Sequence, residues 1–204
     1  MRNLDAAIAA ANLSIPVSTA VSMQTLSTSY PPSAGAFAEG AKPLMAEIAE
    51  LLARKKYPLL VNVYPYFARV GDPLNVELDY ALFREGETVV HDGRNTYLNL
   101  FDAMTDAAYA ALEKVGGADV EIVVSETGWP SDGGRDASIE NAGTYVNNLM
   151  GHVSSGKGTP MRPGKDIQTY IFSMFNENQK AEGVEQHWGL HYSNLTPVYQ
   201  LDHL

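Results

Sequence analysis

Two apolar segments of the sequence are followed by charged side chains that could act on a bound substrate. Glu126 closes a run of β-branched residues and precedes the turn-forming sequence Thr-Gly-Trp-Pro, while Glu177 and Lys180 follow an apolar run that ends at Phe175. A carboxylate at the end of a buried strand is a common catalytic group, because α/β barrels assemble their active sites at strand carboxyl ends. Two structural interpretations stay open: Glu126 could be a turn residue that binds backbone amides, and Glu177 and Lys180 could form a solvated i,i+3 pair.

Aromatic and amide side chains accompany these charged residues at the ends of the same apolar runs. The set comprises Asn62, Tyr64, Phe67, Trp129 and Phe175. It suits a neutral, polyhydroxylated ligand, because rings stack on sugar faces and amides bind hydroxyl groups. Tyr64 and Phe67 are explained equally well as core aromatics.

Composition excludes several classes of function. The 204 residues include 14 Lys and Arg against 24 Asp and Glu, which gives a net charge of −10. This charge disfavours binding to nucleic acid or to an anionic membrane surface. The chain has no cysteine, so disulfides, thiolate metal ligands and thiol nucleophiles are ruled out. No apolar run approaches the ~20 residues of a membrane span, and the N-terminal residues predict an amphipathic helix without a signal-peptide core.

The hydrophobic pattern alternates between helical and extended segments. It predicts helices at residues 2–12, 44–56, 100–115 and 138–153, strands at residues 15–21, 59–67, 122–126 and 168–175, and a hairpin formed by residues 80–83 and 88–90 around Gly86. This order is typical of a parallel α/β fold. We therefore expect Glu126, Glu177 and Lys180 to converge at one mouth of a parallel sheet.

Two further motifs carry little weight. Residues 151–157 have the glycine spacing of a phosphate-binding loop, but Gly158 replaces the Ser or Thr that would hold Mg²⁺, and the segment follows a helix. His187 and His191 have the i,i+4 spacing of metal ligands, yet Gly189 makes a helix unlikely there and no third ligand is evident. The sequence predicts neither a metal site nor a cofactor.

The chain resembles glycoside hydrolase family 17, the plant-type endo-β-1,3-glucanases. Glu126 lies within a segment that is similar to the family's active-site signature, and the other similar segments follow in the family's order. The similar segments are residues 15–21, 62–67, 99–104, 122–133, 170–180, 189–190 and 197–199.

This resemblance implies a fold and a site. Residues 1–204 would form a single partial domain, the C-terminal half of a (β/α)8 barrel with about four βα units. Glu126 would be the nucleophile of a retaining hydrolase acting on β-1,3-glucan, with Glu177 and Lys180 as accessory residues. The residues implied to bind substrate are Asn62, Tyr64, Phe67, Trp129 and Phe175. The resemblance also implies that the full-length protein is a monomer located in the cell wall or vacuole.

Two positions depart from the family pattern. His191 stands where the family usually has an aromatic residue. The Gly-Asn-Glu motif that carries the family's general acid/base is not present, and by the resemblance it would fall shortly before residue 1. Asn176-Glu177 is similar to that motif but matches the accessory position.

The missing motif leads us to expect little or no turnover by this chain, since general acid catalysis typically contributes ~10²–10⁴-fold. A non-catalytic β-glucan-binding remnant and a poorly folding product of a shortened gene remain alternatives. A preference for β-1,3- or mixed-linkage glucan stays open. A half-barrel would also leave two open sheet edges, at residues 15–21 and 168–175, and we expect these edges to promote self-association.

Overall fold

The computed structural model describes residues 1–202. Its α-helices are α1 (Arg2–Ala10), α2 (Lys42–Lys55), α3 (Pro65–Gly71), α4 (Leu78–Ala81), α5 (Leu100–Lys114) and α6 (Ile139–Ser154). Its strands are β1 (Ala20–Ser22), β2 (Leu26–Thr28), β3 (Ala36–Phe37), β4 (Leu59–Asn62), β5 (Val90–Asp92), β6 (Asn95–Tyr97), β7 (Ile122–Thr127), β8 (Gly158–Thr159), β9 (Arg162–Pro163) and β10 (Thr169–Ile171). Short 3₁₀ helices occur at Met23–Thr25, Pro32–Ala34 and Val184–Gln186.

A parallel sheet with the strand order β1-β4-β7-β10 carries the fold, and three two-stranded antiparallel ribbons surround it. The strands β4 and β7 pair from Leu59 and Ile122 up to Asn62 and Glu126, with an irregularity just before that last pair. Within residues 1–202, β1 and β10 each pair with one strand of this sheet. The α/β class and the parallel direction of the strands agree with the sequence prediction.

The core forms where the helices cover the central strands. Leu59 and Val61 of β4 and Val124 of β7 are almost fully buried, and Leu52 of α2 and Leu112 of α5 belong to the same hydrophobic cluster. Helices cover the strands of parallel sheets in this way. No helix within the described residues is long and apolar enough to cross a membrane.

Side-chain caps fix the beginnings of the two longest helices. The Asn99 side chain accepts a hydrogen bond from the backbone of Asp102 at the start of α5, and the Ser138 side chain accepts one from Asn141 at the start of α6. Such caps satisfy backbone N–H groups that have no partner within the helix. They confirm the predicted helix that begins near residue 138 and the one that begins near residue 100.

The first two predicted strands are shorter than expected. Ile15 is exposed outside any strand, and pairing with β4 begins only at Ala20, since Pro16 has no N–H group to donate to a ladder. The second strand ends at Asn62, and Pro65 begins helix α3 because proline is well suited to the first turn of a helix. Phe67 therefore lies on a helix and not on a strand.

The predicted hairpin is wrong by about ten residues. Tyr80 lies in helix α4, and the hairpin is formed instead by β5 and β6, in which Asp92 pairs with Asn95. Gly93 adopts a φ of +61° between them, and glycine at the first central position is typical of a two-residue hairpin turn. The dipeptide Asp92-Gly93 carried this signal in the sequence.

The last predicted strand, residues 168–175, divides into two parts. Strand β10 pairs with β7 and ends at Ile171, while residues 173–176 exchange backbone hydrogen bonds with residues 188–191. Phe175 and His191 form a parallel bridge there, and their rings lie 6.4 Å apart. The edge that was expected to be open along this strand is therefore paired over its second half.

Candidate active site

Glu126 is the second-last residue of strand β7 and is half-buried beside strand β4. Its carboxylate oxygen Oε2 accepts a hydrogen bond of 3.0 Å from the Tyr64 hydroxyl group. Its backbone carbonyl accepts a second hydrogen bond, of 2.9 Å, from the Val63 amide. The chain after β4 therefore holds both the backbone and the side chain of Glu126 at the carboxyl end of the sheet.

Strand β7 is fixed to its surroundings at both ends. The Tyr109 hydroxyl accepts a hydrogen bond from the Ile122 amide at the beginning of the strand. At its end, the hydroxyl groups of Thr127 and Tyr145 lie 2.5 Å apart, and both residues are fully buried. Buried side chains with these contacts leave Glu126 little freedom to move along the strand.

The turn after β7 requires a glycine. A Cβ atom on Gly128 would overlap the carbonyl oxygen of Phe172, so only glycine allows the two segments to approach this closely. The Phe172 amide donates a hydrogen bond of 2.8 Å to the Thr127 carbonyl at the same place. The signature sequence around Gly128 thus brings the chain that leads to Glu177 against the end of β7.

The phenol of Tyr64 remains protonated beside Glu126. Burial raises the pKa of Tyr64 far above its ordinary value, and the Glu126 carboxylate raises it further through its charge and its hydrogen bond. Glu185 also raises the pKa of Tyr64, which places a second carboxylate within electrostatic reach of the same phenol. A protonated phenol donates its proton to the carboxylate, and this hydrogen bond fixes the orientation of the Glu126 side chain.

Trp129 does not offer a face to a ligand, which corrects the prediction that it lines a sugar cleft. The ring is 1% exposed, and its Nε1 donates to the Asp136 carbonyl at 2.9 Å. Tyr66 meets it edge-on at 5.2 Å, and Tyr145 lies 5.6 Å away. These aromatic side chains come from distant parts of the chain, and their packing makes Trp129 a core residue.

Phe67 and Phe175 keep exposed ring surface. Phe67 is 47% exposed and contacts Tyr64 and Trp188, with ring centroids 5.5 Å apart in both pairs. Trp188 is buried and lies 5.2 Å from the ring of Tyr64, so it supports the residue that holds Glu126. Trp188 was not among the residues predicted from the sequence, although its place after the apolar segment near residue 175 offered a weak signal.

Asn62 is half-buried at the end of β4, and its side-chain oxygen accepts a hydrogen bond of 2.7 Å from Ser125. This bond fixes which end of the amide faces Ser125 and leaves its N–H groups free for another acceptor. Binding of a hydroxyl group by Asn62 stays a prediction.

Glu177 and Lys180 lie on the segment after β10. Their charged groups are 3.9 Å apart at i,i+3 spacing, and both side chains are largely exposed. The Glu177 amide donates to the Gln186 carbonyl at 3.3 Å, which ties this segment to the 3₁₀ helix that carries Glu185. The contact fits the solvated ion pair considered above, and convergence of Glu177 and Lys180 on Glu126 stays a prediction.

His187 and His191 do not form a metal centre with any third ligand in the described part of the chain, where no cluster of three or more potential ligands exists. His187 follows the 3₁₀ helix, and His191 bridges Phe175 and Pro197. Residues 151–157 run from the end of α6 into a turn and not from a strand into a helix, in agreement with the rejection of a phosphate-binding loop.

The structure thus places a carboxylate, bonded by a phenol and flanked by exposed aromatic rings, at the carboxyl ends of adjacent parallel strands, which is where α/β barrels carry their active sites. Comparison with known proteins makes the class specific. Residues 1–203 match the family model described as Glycosyl hydrolases family 17. The chain belongs to this family.

Several plant proteins are similar to the chain over nearly all of its length. The putative glucan endo-1,3-beta-glucosidase GVI of Hordeum vulgare is 56% identical over 205 residues, which are 99% of this chain and 63% of that protein. Lichenase-2 of the same species is 49% identical and is covered to 64%. The chain thus spans somewhat less than two thirds of the length of these relatives.

Solved structures show the same relationship. One of two plant beta-glucan endohydrolases described as having distinct substrate specificities superposes with a TM-score of 0.95 at 48% identity, covering 99% of this chain and 65% of the other. CJP38, a beta-1,3-glucanase and allergen of Cryptomeria japonica pollen, also gives a TM-score of 0.95, at 47% identity, covering 98% of this chain and 63% of its own.

Proposed function

We propose that residues 1–204 carry the nucleophile side of a retaining β-glucan endohydrolase, with Glu126 as the nucleophile. The four βα units would form one half of a (β/α)8 barrel and act as a single partial domain. The observation that supports this proposal most strongly is the 3.0 Å hydrogen bond from Tyr64 to Glu126 at the carboxyl end of the sheet. Family membership supports it independently.

The geometry around Glu126 suits nucleophilic attack. A nucleophilic carboxylate must be held in a fixed position, and the hydrogen bond from the Tyr64 hydroxyl group holds Glu126 in this way. Tyr64 binds one carboxylate oxygen, Oε2, and no hydrogen bond to the other oxygen occurs among residues 1–202. That second oxygen would attack the anomeric carbon while the bond from this carbon to the leaving oxygen breaks.

The leaving oxygen needs a proton, which a second carboxyl group supplies in retaining enzymes at a distance of ~5–5.5 Å from the nucleophile. Glu177 and Glu185 lie on neighbouring segments, and Glu185 is electrostatically coupled to Tyr64. We assign neither of them the acid role. The chain should therefore act poorly on unactivated glucan and better on a substrate whose leaving group needs no proton.

A β-glucan is the substrate that the site chemistry and the relatives support together. Exposed rings at Phe67 and Phe175 and the amide of Asn62 suit a neutral saccharide. Relatives of similar identity bear the names glucan endo-1,3-beta-glucosidase and lichenase. A cell-wall or vacuolar location and a monomeric full-length protein belong to the same proposal.

Release of dinitrophenolate from 2,4-dinitrophenyl β-laminaribioside tests the proposal, because dinitrophenolate leaves without being protonated when the glycosyl-enzyme forms. Water must then hydrolyse this intermediate, and we expect this second step to be slow, because the missing acid group would also act as its base. We expect the 204-residue chain to release dinitrophenolate while its hydrolysis of laminarin stays at background. Glu126→Gln should abolish the release. Glu121→Gln, an exposed carboxylate just before the same strand, should leave it unchanged.

Each alternative gives a different result. Release that persists in Glu126→Gln would contradict the role of Glu126. Binding of laminarin without any release would support the glucan-binding remnant instead. Robust hydrolysis of laminarin by the chain alone would show that another carboxylate, with Glu177 as the first candidate, donates the proton. Repeating the assay with the aryl glycoside of a β-1,4-linked disaccharide would measure the linkage preference.

A further inference from the structure

A large cavity lies outside the parallel sheet, between the helices and the surface ribbons. Its volume is about 930 Å³, and we call it the outer cavity. Its walls come from the loop of residues 83–89, the end of β6, the beginning of α5, the second half of α6 and the β8–β9 ribbon. No residue of the candidate active site lines it, and its volume falls in the range of ~300–1,000 Å³ that is usual for ligand sites.

The floor of the outer cavity is a preformed polar network. Asp102 is 7% exposed on its side chain, and its two carboxylate oxygens bind His152 Nε2 at 2.8 Å and Asn99 Nδ2 at 2.9 Å. Nδ1 of His152 makes no hydrogen bond within residues 1–202, so this nitrogen is available to a ligand hydroxyl group, which can both donate and accept.

Apolar side chains complete the wall beside this network. The Phe83 ring packs on His152 at 5.4 Å between centroids. Leu98 is 64% exposed and Val89 is also exposed, although both line the cavity. Phe83 keeps a φ of +57°, a conformation that is costly for a bulky residue and that its packing against His152 and Phe101 supports. An apolar rim above a polar floor suits a ligand with both hydroxyl groups and apolar faces.

The charges in the wall balance. Arg84 and Lys157 oppose Glu85 and Asp102, so a strongly anionic or cationic ligand gains nothing from the lining as a whole. Arg84 also contacts Asp79 and Glu140, which offsets its charge locally. The outer cavity therefore favours a neutral ligand.

The β8–β9 ribbon is held firmly against α5, so this wall does not need to form on binding. Asp106 accepts a hydrogen bond of 2.8 Å from the Met161 amide. Arg162 binds Glu113 at 2.7 Å and lies over the ring of Tyr109. Preformed walls reduce the entropy that a ligand loses on binding.

We infer that the outer cavity is a second saccharide-binding site, which takes a neutral oligosaccharide segment of a polymer. That the polymer is a β-glucan rests on the proposed function, whereas the neutral, polyhydroxylated character of the ligand rests on the cavity itself. Such a site would hold a polysaccharide chain away from the position of cleavage.

Photoaffinity labelling tests this inference, with laminarihexaose that carries a diazirine at its reducing end. We expect labelled peptides from residues 83–99 and 147–163, and we expect unlabelled laminarihexaose to compete for them. Leu98→Ala should weaken this competition about fivefold, since an exposed apolar contact is lost without disturbing the core. The matched control is Leu74→Ala, an exposed leucine that does not line the cavity.

His152→Gln is a second variant that tests the polar floor, and it should also reduce labelling of these peptides while Glu126→Gln leaves it unchanged. The labelling experiment measures binding at residues remote from Glu126. Labelling can therefore occur when no dinitrophenolate is released, and dinitrophenolate can be released when no labelling occurs. Labels confined to residues 62–67, 126–132 and 173–192 would overturn the inference. Competition by a sulfated oligosaccharide but not by laminarihexaose would also overturn it.

Discussion

The central strands β4 and β7 and the edge strands β1 and β10 bring residues to the same end of the sheet under different constraints. Leu59 and Val124 on the central strands are almost completely buried, whereas β1 has no buried residue and Tyr170 on β10 is 54% exposed. Glu126 lies near the end of a central strand and is held by Tyr64, which follows the neighbouring strand. Glu177 follows an edge strand and keeps an exposed ion pair with Lys180.

This difference indicates which part of the site the fold can hold rigidly. Burial on a central strand fixes the backbone through neighbours on both sides, and a buried hydrogen-bond donor then orients the carboxylate. A residue beyond an edge strand depends on loop contacts, such as those between residues 173–176 and 188–191. The nucleophile is therefore the better defined group, and the accessory pair is free to adjust.

The largest expected effect concerns the edges themselves. The unpaired backbone groups of β1 and β10 should allow copies of the 204-residue chain to pair, since a few hundred Å² of exposed apolar surface costs several kcal/mol at ~25 cal/mol per Å². Analytical ultracentrifugation should show species larger than a monomer, and the chain should bind a hydrophobic dye. Tyr170→Lys should reduce the association, whereas Tyr192→Lys, outside the sheet, should not. A compact monomer with one sharp thermal transition would refute this expectation.

Truncation of a core residue on a central strand is next in size. Leu59→Ala should lower the free energy of unfolding by about 3 kcal/mol, because it leaves a cavity in the packed core. Leu60→Ala changes the next residue, which is only partly buried on the opposite face, and should cost less than half as much. Chemical denaturation measures both values. Equal losses would mean that the two faces of β4 are not packed differently.

Asp106 lies in helix α5, in the layer of helices that covers the sheet. Its carboxyl group is buried, and no positively charged side chain pairs with it among residues 1–202. Burial raises its pKa to about 6, above the ordinary value in an unfolded chain. The native state therefore binds this proton more tightly, so the stabilisation is fully present below pH ~4 and is lost as the pH rises through about 6.

Asp106→Asn should remove this pH dependence, which is on the order of 2 kcal/mol between pH 4 and pH 7. Thermal unfolding at a series of pH values measures it, and the variant should gain stability relative to the native chain mainly at neutral pH. The control Asp119→Asn changes an exposed carboxyl group and should leave the profile unaltered. An unchanged profile in Asp106→Asn would show that this carboxyl group does not retain its proton.

The smallest expected effect is on the hydrogen bond that holds the nucleophile. Tyr64→Phe should lower the rate of dinitrophenolate release from the activated aryl glycoside about tenfold, because the Glu126 carboxylate loses the hydrogen bond that orients it. Tyr170→Phe removes a hydroxyl group from an edge strand and should leave this rate unchanged. An unchanged rate in Tyr64→Phe would contradict the role of this hydrogen bond.

The sequence predicted strand β7 and helix α5 well and the limits of the other strands of the sheet poorly, for a physical reason. Strand β7 and helix α5 are specified by their own patterns, a β-branched run and an amphipathic period with an Asn cap. The limits of β1 and β10 depend on which backbone groups a neighbour can reach, which no local pattern encodes. The hairpin was misplaced because its turn was assigned to Gly86, whereas the turn is formed at Asp92-Gly93.

In the candidate site too, local motifs predicted some features, whereas contacts between distant residues could not be predicted. Glu126 was selected from a local motif, but its contact with Tyr64 joins residues 62 positions apart and could not be read from spacing. Trp129 lies in the same motif and proved to be buried, because Tyr66 and Tyr145 cover it from other elements. Glu185 was not a candidate from the sequence, and it is linked to the site by its electrostatic effect on the pKa of Tyr64.

Covalent trapping tests directly whether Glu126 is the nucleophile. The 204-residue chain is incubated with 2,4-dinitrophenyl 2-deoxy-2-fluoro-β-laminaribioside, and the mass of the intact protein and of its peptides is measured. We expect one added glycosyl group, located on Glu126 and absent from Glu126→Gln, while Glu121→Gln is labelled normally. A label on Glu177 or Glu185 instead, or no label with a substrate whose leaving group needs no proton, would contradict it.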